Sequence, residues 1–438
     1  MMALGVARRG ALGAAAGLGV LGWAGTGRAD DGEAAIVRRL EAAVAEAVRT
    51  ADFSGAVMLK RGDRVVYQTA VGLADRGHGV LNTIDTKFNV ASIGKAFTAT
   101  AILQLVDQGR VDLDAPILRY LPDYPDRDIA GRITPRQLLS HSSGIGNYWE
   151  AIAEKPPQRF IETKDFLPLI AGQPLEAEPG TTFGYSNSGY VILGLVIEAV
   201  TGEAYADHIQ RTLFDPLGMS RSGDWPLDLV IEGRADGYTR DETTPGAWRS
   251  NMFVNQYRGN SAGGGYSTVS DLLTFIGALR DGRLFSEATR TAATTGLFDM
   301  GRSRYGLGFI VDRVNDLNIV GQTGGHFGIA SEVWLHQDTG WSVAIMTNGE
   351  VDGYWGLSVA VKDLLCGESP ATDAWRLGMA MVTAAADDSV AAARALFEAR
   401  PEGMTPRMVF EVEAAKAKHR GRPDAALRIL EVGAMVEA

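Results

Sequence analysis

Residues 92–109 read SIGKAFTATAILQLVDQG, and this stretch decides the fold class of the chain. Phe97, Ala101 and Leu105 recur every four residues, which is the spacing of one face of an α-helix, and Gly109 is a common kind of helix terminator. Most intervening positions are also apolar, which predicts a helix buried at the centre of a globular domain. A lysine at the start of such a helix, at position 95, is costly to bury and therefore indicates a function.

Strand signals lie on both sides of this helix in the sequence. Residues 55–59 and 65–67 flank the turn Arg61-Gly62-Asp63, which predicts a β-hairpin rather than an adhesion motif. Further strands are predicted at 305–314, 317–322, 331–336 and 341–347, and helices at 34–49, 190–200, 268–279 and 357–365. This order predicts an α+β fold, in which a mostly antiparallel sheet is flanked by helices and residues 110–260 form a mainly helical insertion.

Three segments are predicted along the chain. Residues 1–29 have the form of a signal peptide, with paired arginines, an apolar run at 10–24 and small residues before the cleavage site. The run is shorter than the ~20 residues that span a bilayer, so we expect cleavage, export to the periplasm or medium, and no stable membrane span afterwards. Residues 30–366 would form the main domain. Residues 367–438 would form a C-terminal helical extension, with helices at 371–385 and 389–398 and a tetratricopeptide-like pair at 408–419 and 424–432.

Composition excludes several classes of protein. The formal net charge is −11, without a basic run, so the chain would be repelled by nucleic acid. Cys366 is the single cysteine, and the six histidines lack the spacing of metal ligands, so we expect neither a metal nor another cofactor. The sequence leaves the oligomeric state open.

The first candidate functional element is Ser92-Ile93-Gly94-Lys95. Residues three apart on a helix share one face, and a serine hydroxyl needs a nearby base to become a nucleophile. A desolvated lysine can be that base. The second element is Tyr185-Ser186-Asn187, in a loop before a helix, where Tyr185 could carry protons and Asn187 could bridge Lys95 and a substrate carbonyl.

The third element is Gln322-Thr323-Gly324-Gly325, at the end of a predicted strand. A strand edge of small residues lets a substrate approach the backbone closely, and its N–H groups could stabilise an oxyanion. His326 follows directly as a possible auxiliary residue.

Taken together, the three elements resemble the serine β-lactamase family, which includes class C β-lactamases, D-alanyl-D-alanine carboxypeptidases and related esterases. That family shows Ser-x-x-Lys, Tyr-x-Asn and Lys/His-Thr-Gly in this order. Further similar segments are LLSHSSG at 138–144, PGTTFGYSN at 179–187, DPLGM at 215–219 and AGGGYST at 262–268. The resemblance covers residues 33 to 366 and implies a β-lactamase-like fold.

The resemblance implies roles for these positions. Ser92 would be acylated, Lys95 and Tyr185 would share the proton transfers, Asn187 would position Lys95 and substrate, and the N–H groups of Ser92 and Gly325 would form the oxyanion hole. His141 is interpreted as structural. We therefore expect a serine hydrolase that cleaves ester or amide bonds of a small molecule or peptide.

One departure affects the substrate. Gln322 stands where the penicillin-recognising members carry lysine or histidine, a cation that attracts a substrate carboxylate. This favours an esterase or a D-amino-acid peptidase over a β-lactamase or D-alanyl-D-alanine carboxypeptidase, which remain alternatives. His326 could compensate in part.

Two rival hypotheses come from other classes. Residues 259–263, GNSAG, match the nucleophile elbow of α/β-hydrolases, with Asp312 and His326 following in the required order. The glycines after Ser261 argue against that reading, because an elbow leads directly into a helix. Alternatively, the chain could be an inactive binding protein that has kept the fold.

Overall fold

The computed structural model describes residues 31–152, 155–241, 244, 246–301, 303–349, 351–406, 410–419 and 421–437. The predicted signal peptide, residues 1–29, lies outside them. The strands are β1 Gly55–Arg61, β2 Arg64–Val71, β3 Leu73–Asp75, β4 Val80–Leu81, β5 Phe88–Asn89, β6 Tyr238–Arg240, β7 Trp248–Ser250, β8 Tyr266–Ser267, β9 Phe298–Asp299, β10 Arg304–Tyr305, β11 Ile310–Val314, β12 Leu317–His326, β13 Ile329–His336 and β14 Trp341–Thr347.

The α-helices lie before, between and after the strands. They are α1 Asp31–Ala51, α2 Gly94–Asp107, α3 Arg127–Ala130, α4 Pro135–Leu139, α5 Trp149–Ile152, α6 Leu167–Ile170, α7 Asn187–Thr201, α8 Tyr205–Ile209, α9 Asp215–Leu217, α10 Val269–Arg280, α11 Glu287–Ala293, α12 Val351–Cys366, α13 Pro370–Asp387, α14 Val390–Glu398, α15 Phe410–His419 and α16 Pro423–Glu437. Short 3₁₀ turns at Ala91–Ile93 and Asn251–Phe253 matter for the site below.

The main sheet is antiparallel throughout. In the described part of the chain it has eight strands in the order β2-β1-β14-β13-β12-β11-β10-β9. The hairpin β1–β2 joins the C-terminal strands through β14, where Gly55 pairs with Thr347 and Arg61 with Trp341. The predicted α+β fold with an antiparallel sheet is therefore confirmed.

The two faces of the sheet carry separate apolar cores, because side chains of a strand alternate between faces. On β1, Val57 and Leu59 face the core beneath α1 and α12. Ala56 and Met58 face the larger core, which contains α2, α7 and α10. Strand β14 divides its residues in the same way. The predicted amphipathic helix at the N-terminus covers the smaller core, as its apolar stripe requires.

Helix α2 is buried at the centre of the larger core. Phe97 packs against the rings of Phe214 and Phe275 in T-shaped, edge-to-face contacts, with centroids 5.1 and 4.9 Å away. Helix α7 packs against α2 and ends at Gly202, whose φ of 76° suits glycine. The predicted buried central helix is confirmed, and these two helices bring the first two sequence elements together.

Most predicted strands have somewhat different bounds in the structure, and the largest differences are at 305–314 and 317–322. The stretch 305–314 is divided into β10 and β11, because residues 306–309 form a connection. Strand β12 does not end at Gln322 but continues to His326, since Gln322 to His326 pair with Val333 to Ile329 of β13. Pairing with β11 stops at Gly321. The third sequence element thus forms a strand segment bonded to β13 on one side.

The C-terminal helices α13 to α16 enclose a third apolar cluster, which includes Met381, Phe410 and Ile429. Arg376 on α13 forms ion pairs with Asp363 and Glu368. The helices predicted after residue 370 are observed, while the predicted domain boundary at 366/367 stays a prediction. In the described ranges no single helix has the length and apolarity to cross a membrane; α7 combined with Tyr205–Leu217 reaches that composition only as a pair bent by 76°.

Candidate active site

Ser92 lies in a 3₁₀ turn that leads directly into α2. The residue before it, Ala91, has a φ of 45°, which is unusual for a residue with a Cβ atom. Two hydrogen bonds hold it there: Ala91 N–H donates to Asn89 Oδ1 over 2.8 Å, and Gly264 N–H donates to Ala91 O over 3.0 Å. Such held strain is common at functional sites.

Lys95 is completely buried beneath Ser92. Its Nζ lies 3.1 Å from Ser92 Oγ and 2.7 Å from Asn187 Oδ1, and it also contacts the carbonyl oxygen of Ala262. Burial lowers the pKa of Lys95 to about 7. A neutral amine has two protons for the Asn187 and Ala262 oxygens, and its lone pair is then left for the Ser92 hydroxyl. The geometry therefore suits a general base.

Tyr185 approaches Ser92 from the opposite side of the hydroxyl. Its phenolic O–H donates to Ser92 Oγ over 2.8 Å. Lys95 Nζ is 4.9 Å from the centre of its ring. Tyr185 lines the pocket and is 41% exposed as a residue, and burial around its hydroxyl raises the pKa of Tyr185. Tyr185 is therefore a proton donor at neutral pH and not a phenolate.

Asn187 is fixed by the first turn of α7. The preceding Ser186 caps the helix by accepting the Gly189 N–H and donates its own hydroxyl to Gly146 O. Asn187 Nδ2 donates to Asn147 Oδ1 over 3.3 Å, which turns Oδ1 toward Lys95. The structure thus brings Ser92, Lys95, Tyr185 and Asn187 into one hydrogen-bonded group.

The glycines of the third element lie against the backbone of the turn that holds Ser92. A Cβ atom on Gly324 would lie 2.3 Å from Val90 O and 2.7 Å from Ser92 N, so β12 and the nucleophile turn touch backbone to backbone. Gly325 and His326 line the same pocket as Ser92, whereas Gln322, Thr323 and Gly324 do not.

Gln322 points away from the pocket. Its Nε2 donates to Tyr305 OH over 2.9 Å and to Gly308 O over 3.0 Å, and the side chain is buried. His326 lines the pocket, but a ring nitrogen contacts Val254 O at 2.8 Å, and burial lowers the pKa of His326. A neutral His326 does not replace the positive charge that is missing at position 322.

The pocket has a volume of about 450 Å³. Amides and aromatic rings form much of its wall, and none of the described lining residues carries a permanent charge. The lining residues are Asn89, Ala91, Ser92, Tyr148, Trp149, Tyr185, Asn187, Thr239, Asn255, Gln256, Ala262, Gly263, Gly264, Gly325, His326, Phe327 and Gly328.

Several of these residues were missed by sequence reasoning. The carbonyl of Ala262 accepts a hydrogen bond from Lys95, whereas the sequence shows residues 262–268 only as a segment similar to the family. Gln256 Nε2 donates to Tyr148 OH over 2.9 Å, which joins two walls of the pocket. The pattern around Trp149, Asn255 and Gln256 contains no signal that would have identified them.

His141 is structural, as the sequence interpretation holds. Its Nδ1 accepts the Ser186 N–H over 3.1 Å, and its ring packs between Tyr185 and Tyr190 at 4.4 and 5.0 Å. Burial lowers the pKa of His141 well below its usual value. The residue supports the tyrosine loop and remains neutral.

The structure excludes the nucleophile elbow. Ser261 is buried, and its Oγ has no hydrogen-bond partner in the described part of the protein. Asp312 pairs with Lys362 at 2.6 Å, and His326 contacts Val254 O. The three residues of that hypothetical triad are engaged elsewhere or unpaired, so they do not form a catalytic group.

A serine that contacts a buried lysine and a tyrosine at the start of a buried helix, in a fold with an antiparallel sheet, is the arrangement of a serine hydrolase. The profile of the Beta-lactamase family matches residues 40–355. The chain therefore belongs to the β-lactamase family, which confirms the resemblance seen in the sequence.

Known relatives include enzymes. The chain is 33% identical over 263 residues to the putative penicillin-binding protein PbpX of Bacillus subtilis, covering 59% of this chain and 62% of that protein's length. It is 28% identical over 379 residues to esterase EstB of Burkholderia gladioli, covering 75% and 95%. The solved structure of D-amino acid amidase from Ochrobactrum anthropi is similar with a TM-score of 0.64 and 27% identity, over 77% and 98% of the two chains. The inactive binding-protein alternative is not favoured.

Proposed function

We propose that the protein is a carboxylesterase that hydrolyses uncharged esters through an acyl-enzyme on Ser92. The observation that carries this proposal is the pocket wall around Ser92, whose described residues present aromatic rings, amides and backbone but no permanent charge. An ester binds there without leaving a charge unpaired, which would be costly in a partly desolvated site. The similarity to esterase EstB supports the same substrate class.

In the proposed reaction, the neutral amine of Lys95 takes the Ser92 proton while Oγ forms a bond to the ester carbonyl carbon. The carbonyl electron pair moves onto oxygen, which the N–H groups of Ser92 and Gly325 stabilise. As the tetrahedral intermediate collapses, the carbon–alkoxide bond breaks. Tyr185 gives its proton to the departing oxygen and recovers one from the Lys95 ammonium. Water then attacks the acyl-enzyme by the same proton transfers and releases the carboxylic acid.

β-Lactams and carboxylate-bearing peptides fit this pocket less well. Their carboxylate needs a cation, yet Gln322 is uncharged and directed at Tyr305, and burial keeps His326 neutral. We therefore expect β-lactamase and D-alanyl-D-alanine carboxypeptidase activity to be weak compared with ester hydrolysis.

Amide hydrolysis is a second candidate. The aromatic side chains of Trp149 and Phe327 in the pocket wall would suit an aromatic amino acid side chain, and the chain resembles a D-amino acid amidase. A free α-ammonium group would find no carboxylate among the described lining residues, and for this reason the ester is the first candidate.

We also propose that the protein is exported. The arginines, apolar run and small residues within positions 1–29 support a cleavable signal peptide, and the periplasm or medium is the destination that such a signal implies. N-terminal sequencing of the protein from the producing cell would identify the cleavage site.

The function is tested by intact-mass spectrometry after a short incubation with a fluorophosphonate probe, followed by assays on p-nitrophenyl butanoate, phenylalaninamide and a chromogenic β-lactam. We expect an adduct on the wild type, no adduct on Ser92→Ala, and butanoate as the fastest substrate. Ser261→Ala is the matched control and should label normally, since Ser261 Oγ is buried without a partner. Labelling that survives in Ser92→Ala, or a β-lactam as the fastest substrate, would contradict the proposal.

A further inference from the structure

An apolar rim lies beside the pocket and shares residues with its wall. It consists of Met252, Phe253, Val254, Phe327 and Trp149, all of them exposed, with Phe253 79% and Phe327 61% exposed. Single exposed apolar side chains are ordinary, but several large ones together usually mark a binding surface. Their position at the entrance to the site requires an explanation.

The rim is held in place by hydrogen bonds beneath it. Asn251 Nδ2 donates to Phe327 O over 2.8 Å, which ties the turn Asn251–Phe253 to the β12–β13 connection. The His326 ring contacts Val254 O at 2.8 Å. The same ring lies 5.3 Å from that of Trp149. The rim is thus one surface built from three separate segments of the chain.

This surface continues into the pocket. Phe327 and Trp149 belong both to the rim and to the pocket wall, and Asn255 and Gln256, which follow Val254 directly, line the wall as well. A substrate group bound next to Ser92 can therefore extend outward over apolar side chains without crossing a charged residue of the described wall.

We propose that the rim binds the alkyl chain of the acyl group, so that the preferred substrates are esters of medium-chain to long-chain fatty acids. This inference rests on the proposed esterase function. Phe327 of the rim lines the pocket two residues after Gly325, a proposed oxyanion donor, and in the proposed reaction the alcohol leaves at the hydroxyl of Tyr185. The chain that remains attached to the carbonyl carbon is therefore the one that meets the rim.

The size of the effect follows from the exposure of the rim. Complete burial of a CH₂ group strengthens binding about fourfold. The rim covers one side of an alkyl chain and water covers the other, so about twofold per CH₂ is expected. From butanoate to octanoate, kcat/KM should then rise by about fifteenfold.

The experiment measures kcat/KM for p-nitrophenyl butanoate, hexanoate and octanoate, each below its aggregation concentration. Wild type should show the rise, and the octanoate-to-butanoate ratio should fall to a few-fold in Phe253→Ser and Phe327→Ser. Val230→Ser removes an apolar side chain that is 95% exposed and outside the pocket wall, and should leave the ratio unchanged. A flat profile in wild type, an unchanged ratio in both phenylalanine variants, or a chain-length effect only on the alcohol side would overturn the inference.

A binding measurement separates this inference from the proposed function. Calorimetric titration of Ser92→Ala with 2-hexanone and 2-decanone, which are neutral and not hydrolysed, should give about fifteenfold tighter binding for the longer ketone. That result without any ester hydrolysis by the wild type would support the rim and refute the esterase. Hydrolysis of butanoate without chain-length dependence, together with equal ketone affinities, would refute the rim and keep the esterase.

Discussion

At the scale of single residues, the burial of Lys95 carries a chemical consequence. In solution this side chain would be protonated at neutral pH and could not act as a base. Beneath Ser92, burial lowers the pKa of Lys95 to about 7, and the Asn187 and Ala262 oxygens direct its lone pair at the serine. Desolvation, and not a neighbouring charge, lowers the pKa of Lys95 so that it can act as the base.

This predicts the pH dependence of ester hydrolysis. Below pH 7 Lys95 is protonated and has no lone pair, so kcat/KM should fall about tenfold per pH unit, and above pH 7 it should reach a plateau. Burial raises the pKa of Tyr185, which stays protonated across this range. The measurement is the pH–rate profile between pH 5 and 9.

His326 provides the control for that profile. It lines the pocket and burial lowers its pKa, so His326→Gln should keep the inflection near pH 7. An inflection that disappears in His326→Gln, or a profile that is flat between pH 5 and 9, would rule out Lys95 as the titrating base.

The hydrogen-bonded group of Ser92, Lys95, Tyr185 and Asn187 could be predicted partly from local spacing and partly from the family resemblance, which alone placed Tyr185 and Asn187 beside Ser92. Ser92 and Lys95 share a helix face, and Tyr185 and Asn187 immediately precede or begin a helix. Ala262 could not be assigned, since it contributes a backbone carbonyl and a residue of any type at that position would provide one. The direction of Gln322 was equally inaccessible, because Tyr305 and Gly308, its partners, belong to a separate segment.

At the scale of elements, the site depends on how closely β12 approaches the turn at Ser92. Gly324→Ala would place a Cβ atom 2.3 Å from Val90 O, so the strand or the nucleophile turn must move. A displacement of about 1 Å near the reacting groups can lower the rate about 10²-fold. We expect kcat to fall ~10²-fold, with a lower melting temperature, in steady-state kinetics and thermal unfolding.

Gly277→Ala is the matched control for this substitution. Gly277 lies within α10, and a Cβ atom there meets no other heavy atom within 4 Å. Because alanine favours helices over glycine by about 1 kcal/mol, the control should be active and slightly more stable. Normal activity in Gly324→Ala would show that the close approach is not needed.

The types of the elements could be predicted from the spacing of the apolar residues. The residues at which the elements begin and end could be predicted less well. The apolar repeat of α2 and the cap before α10 give helices where they were expected. Strand β12 is longer than predicted because Thr323, Gly324 and Gly325 have the composition of a turn. Pairing with β13 keeps them extended, and a tertiary partner of that kind leaves no local signal.

At the scale of the whole molecule, the C-terminal helices have an apolar cluster of their own. Phe410 is buried there against Gly433. Phe410→Ala should destabilise these helices by about 3–5 kcal/mol, yet leave ester hydrolysis intact at low temperature, because the catalytic residues lie in another core. Calorimetry should then show an early, separate transition.

Leu427→Ala is the corresponding control. Leu427 is largely exposed on α16, so the substitution should lower the stability of these helices little. A single transition in Phe410→Ala, shifted as a whole, would show that residues 367–438 and the catalytic core unfold together. The predicted boundary at 366/367 would then not divide independent units.

The pairing of Gly55 with Thr347 has a consequence for how the chain acquires its structure. The adjacent strands β1 and β14 come from positions nearly three hundred residues apart, and contacts of such sequence separation form slowly. Strand β1 emerges early from the ribosome but has its partner β14 only after almost all of the β-lactamase family region has been synthesised. The nascent chain therefore remains without its complete sheet for most of its synthesis, a state that the proposed export through a translocation channel would require.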